Sequence, residues 1–338
     1  MARALRLEHP GAIWHVTSRG NNRGDIYFSD EDRLTFLALL AESVRRFGWL
    51  VQAWVLMTNH FHLVIETPDP TLSCGMKWLN QKYAQYVNRK HNRSGHLFQG
   101  RFKSFLVERE TYLLEVLRYT VLNPVRAHMV ERPEDYLWSS YRATAGYDTA
   151  PAWLARDWTL MQFGADLAIQ QTSYRAFVDA GALIERSPIE NVVAQLFLGS
   201  EAFIERMRIL VESKPRSSDH PMGQRYVGRA SVQKIVATVA EVFGERVERI
   251  RSGRGGLERS VTAWLGCYEG MARLGSIASS LCLRSTTRVT QLIDECERRL
   301  RNDPMLRIAI DRCLDQLRPS RTAVAAIHRQ LAPAQAAR

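Results

Sequence analysis

The chain has 338 residues, 46% of them hydrophobic and 24% charged, with a formal net charge of +11 and a pI near 9.7. This is the balance of a globular protein with room for two or three cores, and it excludes a fibrous or wholly unstructured chain. No apolar run approaches the ~18 residues of a membrane span. The five cysteines (Cys74, Cys267, Cys282, Cys296, Cys313) are odd in number and form no Cys-x-x-Cys pair, which argues against a disulfide framework or a zinc knuckle.

The first ten residues hold no apolar leader, so a cytoplasmic protein is expected. The positive charge suggests a polyanionic partner, and its distribution sharpens this. Residues 1–148 carry 19 basic and 15 acidic side chains, residues 149–215 carry 6 and 8, and residues 216–318 carry 18 and 12. Two basic modules are therefore expected, 1–148 and 216–318, joined over 149–215 by an acidic connector that reads as all-α and is expected to pack on the first module. The tail from 319, rich in Ala and Arg, is expected to be disordered.

In chain order, 12–18 reads as a strand, followed by a polar turn that Arg19 and Arg23 flank. Ser29 and the acids Asp30, Glu31 and Asp32 begin a helix, with Leu34, Leu37, Leu40, Ala41 and Val44 as its apolar stripe. Residues 50–57 and 60–66 read as a hairpin broken at Thr58 and Asn59. A helix over 71–92 and a strand over 102–107 follow. A further helix starts near Glu110 and must stop by Pro124, which lacks an amide proton. Strand, helix, strand, strand, helix, strand, helix fits an α+β fold of the ferredoxin-like split β-α-β kind, an antiparallel sheet with helices on one side.

Chemistry gathers at two places. Alternation along the strand puts His60 and His62 on one face and Phe61 and Leu63 on the other. On spacing alone the pair suits a metal site or an ordinary half-exposed strand equally. On the helix, Asn123 lies one turn, about 6 Å, beyond Tyr119 and about 16 Å along the axis from Tyr112. If Asn123 completes a metal site with the two histidines, only Tyr119 reaches a phosphate held there, and Tyr112 is left as packing. Two imidazoles and an amide oxygen with open positions suit Mg²⁺ or Mn²⁺ better than a closed zinc site.

Between Asp69 and Glu108 no acidic residue occurs, while Lys77, Lys82, Arg89, Lys90, Arg93, Arg101 and Lys103 do. The basic side chains can track a phosphate backbone. The interleaved Trp78, Tyr83, Tyr86, Phe98, Phe102 and Phe105 can stack on unpaired bases or fill the core.

These residues resemble a known family. His60-Phe61-His62, Phe98-Gln99-Gly100-Arg101-Phe102-Lys103-Ser104 and Leu117-Arg118-Tyr119 through Leu122-Asn123-Pro124-Val125-Arg126-Ala127 together resemble the HUH single-tyrosine transposases, in particular the REP-associated tyrosine transposases. The resemblance spans roughly residues 5–145. It implies that His60, His62 and Asn123 bind Mg²⁺ or Mn²⁺ and that Tyr119 attacks single-stranded DNA, leaving a 5′-phosphotyrosine. It implies a DNA hairpin of the repetitive extragenic type as partner, with Arg19, Arg23, Lys77, Lys82, Arg89, Lys90, Arg101 and Lys103 as DNA contacts. The protein would act as a monomer or a homodimer. A regulator derived from such an enzyme, with cleavage lost, is the alternative.

Beyond a linker at 214–223, residues 232–243, 259–273 and 286–300 read as helices. Ser276 to Leu281, a turn, and the helix from Thr286 suggest a helix-turn-helix. This stretch is similar to the DNA-binding domain of the bacterial chromosome-replication initiator, with Ser285-Thr286-Thr287 where that protein has Asp-His-Ser. The resemblance implies duplex DNA as a second partner, with Arg251 and Arg254 on the backbone and Arg284, Thr286, Thr287 and Arg288 at base edges or phosphates.

Overall fold

Strand burial sets the architecture of the first half of the chain. In β1 (Ala12–Arg19) and β3 (His60–Thr67) the runs 12–16 and 61–65 are buried without alternation, so both faces of the sheet must be covered. In this computed structural model, which describes residues 6–182, 184, 187–212, 229–253, 256–270, 272–317 and 327, they are. β1 and β3 pair antiparallel from Ala12↔Thr67 to Arg19↔His60. β2 (Leu50–Leu56) forms the expected hairpin with β3, with a register shift between Val51 and Ala53. β4 (Lys103–Val107) lies antiparallel on the other side of β1. The order β2-β3-β1-β4 is the ferredoxin-like arrangement expected.

Helices α1 (Asp30–Phe47) and α2 (Leu72–Lys90) cover one face. The Ser29 hydroxyl accepts from Asp32 N and the Asp32 carboxylate accepts from Ser29 N, a reciprocal cap that fixes where α1 begins. The buried side of α1 is Asp32, Phe36, Leu40 and Ser43, whereas Leu34 of the expected stripe is 59% exposed. Phe36 sits 4.8 Å from Phe61 and 5.1 Å from Tyr83 of α2, an aromatic contact that turns the helix away from its nominal stripe. Gly75 lets α2 close on Trp49, since a Cβ there would lie 2.1 Å from Trp49 Cζ2. Gly75→Ala is expected to destabilise the protein by about 1–3 kcal/mol through overpacking, read as a lower denaturation midpoint.

The opposite face corrects the expectation of helices on one side only. Helix α3 (Arg109–Val121) lays Leu113, Val116, Leu117 and Val121 on Ile13, Ala53, Val64, Phe105 and Val107. Two turns follow, α4 (Asn123–Arg126) and α5 (Tyr141–Ala145), then α6 (Asp157–Met161) and α7 (Leu167–Ala182). Tyr174 and Val178 of α7 belong to the same core as α3. The stretch from 149 thus packs on the first module, as expected, but its boundary moves: the chain divides into compact units at Ile204 and Glu205. It is also not wholly helical, because β5 (Phe197–Leu198) adds a fifth, parallel strand beside β4. The outer edge of β2 is closed by Leu56 N to Trp138 O at 2.9 Å, Ser140 N to Trp54 O at 2.9 Å and Ala155 N to Val51 O at 2.8 Å, which blunts it as a site for strand addition.

The second unit is helical. After α8 (Glu201–Glu212) come α9 (Val232–Phe243), α10 (Val247–Ser252), α11 (Leu257–Tyr268), α12 (Leu274–Ser280), α13 (Thr286–Asn302) and α14 (Pro304–Leu317). Ile235, Val239, Val261, Leu265, Ile277, Val289, Leu292 and Ile310 share one core. Helix α11 stops at Tyr268 rather than continuing to 273. Arg259, 4% exposed, donates to Arg251 O at 2.7 Å and to Leu281 O at 2.8 Å, and so ties the end of α10 to the turn between α12 and α13. The expected linker at 214–223 lies outside the described residues, as does the tail from 319 except for residue 327. Among the described residues no helix is long and apolar enough to cross a membrane.

Candidate active site

Strand register assembles the site. Because β1 and β3 pair Arg19↔His60, Thr17↔His62 and His15↔Val64, the side chains of His15, Thr17, Arg19, His60 and His62 share the face that α3 covers. β4 continues the row, with Lys103 opposite Thr17 and Phe105 opposite His15. The His60 and His62 rings are 5.0 Å apart, and the Tyr119 ring stands edge-on 6.0 Å from His62. The two histidines and the tyrosine, distant in sequence, thus meet where β3 begins and α3 ends.

The side chain of each candidate ligand is tied back through one polar atom. Asn59 Nδ2 donates to Arg23 O at 2.7 Å, so Asn59 Oδ1 is an acceptor. His60 Nδ1 lies 2.7 Å from that oxygen and must carry the proton, which leaves the Nε2 lone pair free. Asn123 Nδ2 donates to Tyr119 O at 2.9 Å and Thr120 O at 3.3 Å. Pro124 has no amide proton for Thr120 O, so the Asn123 side chain supplies one. This fixes the amide and leaves Oδ1 as the free end. His62 Nδ1 lies 2.9 Å from His15 Nε2. Among the described residues, His60 Nε2, His62 Nε2 and Asn123 Oδ1 have no hydrogen-bond partner.

Electrostatics keep the imidazoles neutral. Burial and then the Arg19 charge lower His60 to about 4. Burial, followed by His15, His60 and Arg19, holds His62 well below its ordinary value. Burial alone lowers His15 to about 3. Neutral imidazoles near pH 7 are ligands or acceptors rather than cations. Among the described residues no three His, Cys, Asp or Glu side chains are grouped to hold a metal. A metal here would therefore need the Asn123 oxygen and oxygens from substrate or water. Two imidazole nitrogens, with His62 in its Nδ1–H tautomer, and an amide oxygen fit Mg²⁺ or Mn²⁺.

The other expected residues separate into groups. Arg19 and Lys103 are exposed and flank the site on its own face. Arg23 and Arg101 are exposed in the loops that precede α1 and β4. Lys77, Lys82 and Arg89 are exposed on α2, which covers the opposite face, so the acid-free span does not form one surface around the site. Lys90 corrects its expectation as a DNA contact: its Nζ lies 2.9 Å from the buried Asp32 carboxylate and 2.8 Å from Glu31, locking α2 to the start of α1. Among the aromatics, Tyr83, Phe98, Phe102 and Phe105 are buried in the core, and Tyr86 bonds Asp32. Tyr112 packs against the α3 core.

In the second unit Arg251, Arg284, Thr286, Thr287 and Arg288 are exposed, the last four at the turn and first turn of α13. Arg254 lies outside the described residues. Three contributors escaped the sequence reading: His15, Asn59 and Arg126, whose guanidinium sits 5.4 Å from the Tyr119 ring centre. Arg126 follows Tyr119 by seven residues, a spacing that could have flagged it. His15 gave no signal until β1 was paired with β3.

Comparison with known proteins falls on this same region. Residues 10–121 match the family described as transposase, IS200 like. A structural search returns a solved chain described as the REP-associated tyrosine transposase bound to a REP hairpin, at 16% identity and a TM-score of 0.39, covering 50% of this chain and 94% of that one. No curated protein sequence matches the chain. The family match runs from the start of β1 to the end of α3 and includes His60, His62 and Tyr119, so the likeness to the IS200-like transposases falls on the strands and helix that assemble this site.

Proposed function

We propose that this protein is a REP-associated tyrosine transposase that cuts and rejoins single-stranded DNA beside a hairpin, through a covalent link to Tyr119. The observation that carries the reading is the meeting of the His60 and His62 rings with the half-buried Tyr119 ring, with His60 Nε2, His62 Nε2 and, one turn beyond Tyr119, Asn123 Oδ1 as the candidate donors. A divalent ion held by these donors would polarise the scissile phosphate and offset the charge that develops on it.

The chain's own residues do the rest. The Tyr119 oxygen forms a bond to phosphorus and gives its proton to solvent, while the bond from phosphorus to the 3′ oxygen breaks and that oxygen takes a proton from solvent, leaving a 5′-phosphotyrosine and a free 3′-hydroxyl. The covalent ester keeps the bond for rejoining to another 3′-hydroxyl, which hydrolysis would discard. Arg126 orients the ring, and Arg19 and Lys103 attract the DNA backbone toward this face. The solved chain is described as bound to such a hairpin, and the exposed Arg23 and Arg101 suit its phosphates.

The reading is tested with labelled single-stranded hairpin DNA and Mg²⁺ or Mn²⁺. A protein–DNA adduct that survives denaturation is expected. Cleavage without an adduct would instead mean a simple phosphodiesterase, and binding with neither would mean a regulator.

The second unit adds a duplex-binding helix-turn-helix, α12 and α13, with Arg284, Thr286, Thr287 and Arg288 toward DNA and Arg251 on the backbone. Arg284→Ala combined with Arg288→Ala is expected to weaken duplex binding about tenfold or more while hairpin cleavage persists. Unchanged affinity in a gel-shift titration would rule out this role for α13.

A further inference from the structure

His15 stands outside every role above, yet it is 1% exposed and touches the centre of the site. Its ring stacks on Phe105 at 4.7 Å and lies 6.2 Å edge-on from Tyr119. Its Nε2 is 2.9 Å from His62 Nδ1, and its own Nδ1 is buried without a partner. A buried histidine that the core merely tolerated would have both nitrogens satisfied. This one spends its single hydrogen bond on a candidate ligand.

The chemistry of that contact is restrictive. With two neutral rings sharing one N–H···N bond, only two proton arrangements exist. If His62 Nδ1–H donates to His15 Nε2, the His62 Nε2 lone pair faces the site. If His15 Nε2–H donates instead, His62 carries its proton on Nε2 and presents a donor that no cation accepts. For His60 the matter is settled by Asn59, whose orientation Arg23 O fixes. His62 has no such fixed acceptor, and His15 is its only partner among the hydrogen bonds of the described residues.

We propose that His15 is a positioning residue that sets the tautomer of His62, accepting the His62 Nδ1 proton so that Nε2 is free to ligate a divalent cation. The inference rests on the metal-site reading above. The acceptor on a ligand's far nitrogen orients the ring and raises its basicity, and loss of such partners costs about 10–100-fold in metal affinity. His15 differs from the usual carboxylate or carbonyl in being able to donate as well as accept. The pair therefore holds a cation-binding and a non-binding arrangement that interconvert by moving protons between ring nitrogens, with no change of net charge.

The test measures Mn²⁺ affinity of the full-length protein by titration calorimetry and electron paramagnetic resonance, without DNA. His15→Phe keeps a ring against Phe105 and removes the acceptor. His15→Gln places an amide oxygen where Nε2 stands. The expected result is a 10–100-fold weaker affinity for His15→Phe and recovery to within a few fold for His15→Gln. Imidazole ¹⁵N spectra of the Mg²⁺-loaded wild type should show His62 protonated at Nδ1, and those of His15→Phe a mixture of tautomers. A structural role alone would lower the melting temperature of His15→Phe and leave its affinity unchanged. Equal Mn²⁺ affinity in wild type and His15→Phe would overturn the inference alone. Absence of Mn²⁺ binding in the wild type would overturn the metal-site reading and this inference with it.

Discussion

Tyr119→Phe is expected to abolish the covalent adduct and to lower hairpin cleavage at least about a thousandfold, because the substitution removes the attacking oxygen and nothing else. Phenylalanine keeps the ring against His62 and His15 and under Arg126, so the fold and the site should persist. Tyr112→Phe should stay within a few fold of wild type, since Tyr112 packs against the α3 core and belongs to no cluster with the histidines. Denaturing gels with end-labelled hairpin DNA read both variants directly. An adduct that survives in Tyr119→Phe would show the nucleophile to be another residue, and loss of the adduct in both variants with retained folding would break the geometric choice between the tyrosines.

The second large effect is on stability. His15, His60 and His62 are held neutral in the folded chain, with His60 at about 4 and His15 at about 3. In the unfolded chain each has a pKa near 6.5. Below about pH 6.5 the unfolded state takes up protons that the folded state refuses, so stability falls as pH falls. For His60 and His15 the loss levels off only when the folded groups protonate in turn, near 4 and 3. Each fully buried histidine contributes a fall of about 2 kcal/mol between pH 7.5 and 5. Urea denaturation in EDTA at the two pH values should show this drop. In His15→Phe the drop should shrink by about the share of one histidine. Equal stability of the wild type at pH 7.5 and pH 5 would contradict the neutral burial of all three rings.

Some of this was legible before any fold was known. Strand alternation put His60 and His62 on one face, and helical spacing put Asn123 one turn beyond Tyr119 and far from Tyr112. Those are local periodicities, and backbone geometry makes them readable from one segment at a time. Ser29 and Asp32 announced the start of α1 for the same reason. The acid-free span misled in part. Charge counted along the chain ignores where helices pack, and α2 carries Lys77, Lys82 and Arg89 to the far face while Lys90 is taken up by Asp32. The interleaved aromatics were ambiguous because a ring that can stack on a base can equally fill a core, and four of the six do the latter.

The sequence by itself placed His60 and His62 on one strand face, put Asn123 one turn beyond Tyr119 and required α3 to stop before Pro124, as it does at Val121, since each follows from spacing within one element. Only the tertiary structure decided which side of the sheet each helix covers, that residues from 149 to Ile204 complete the first unit, and that His15 lies against His62. The physical reason is the same in each case. Pairing between β1 and β3 joins residues nearly fifty positions apart, and no local period records which strand will lie beside which.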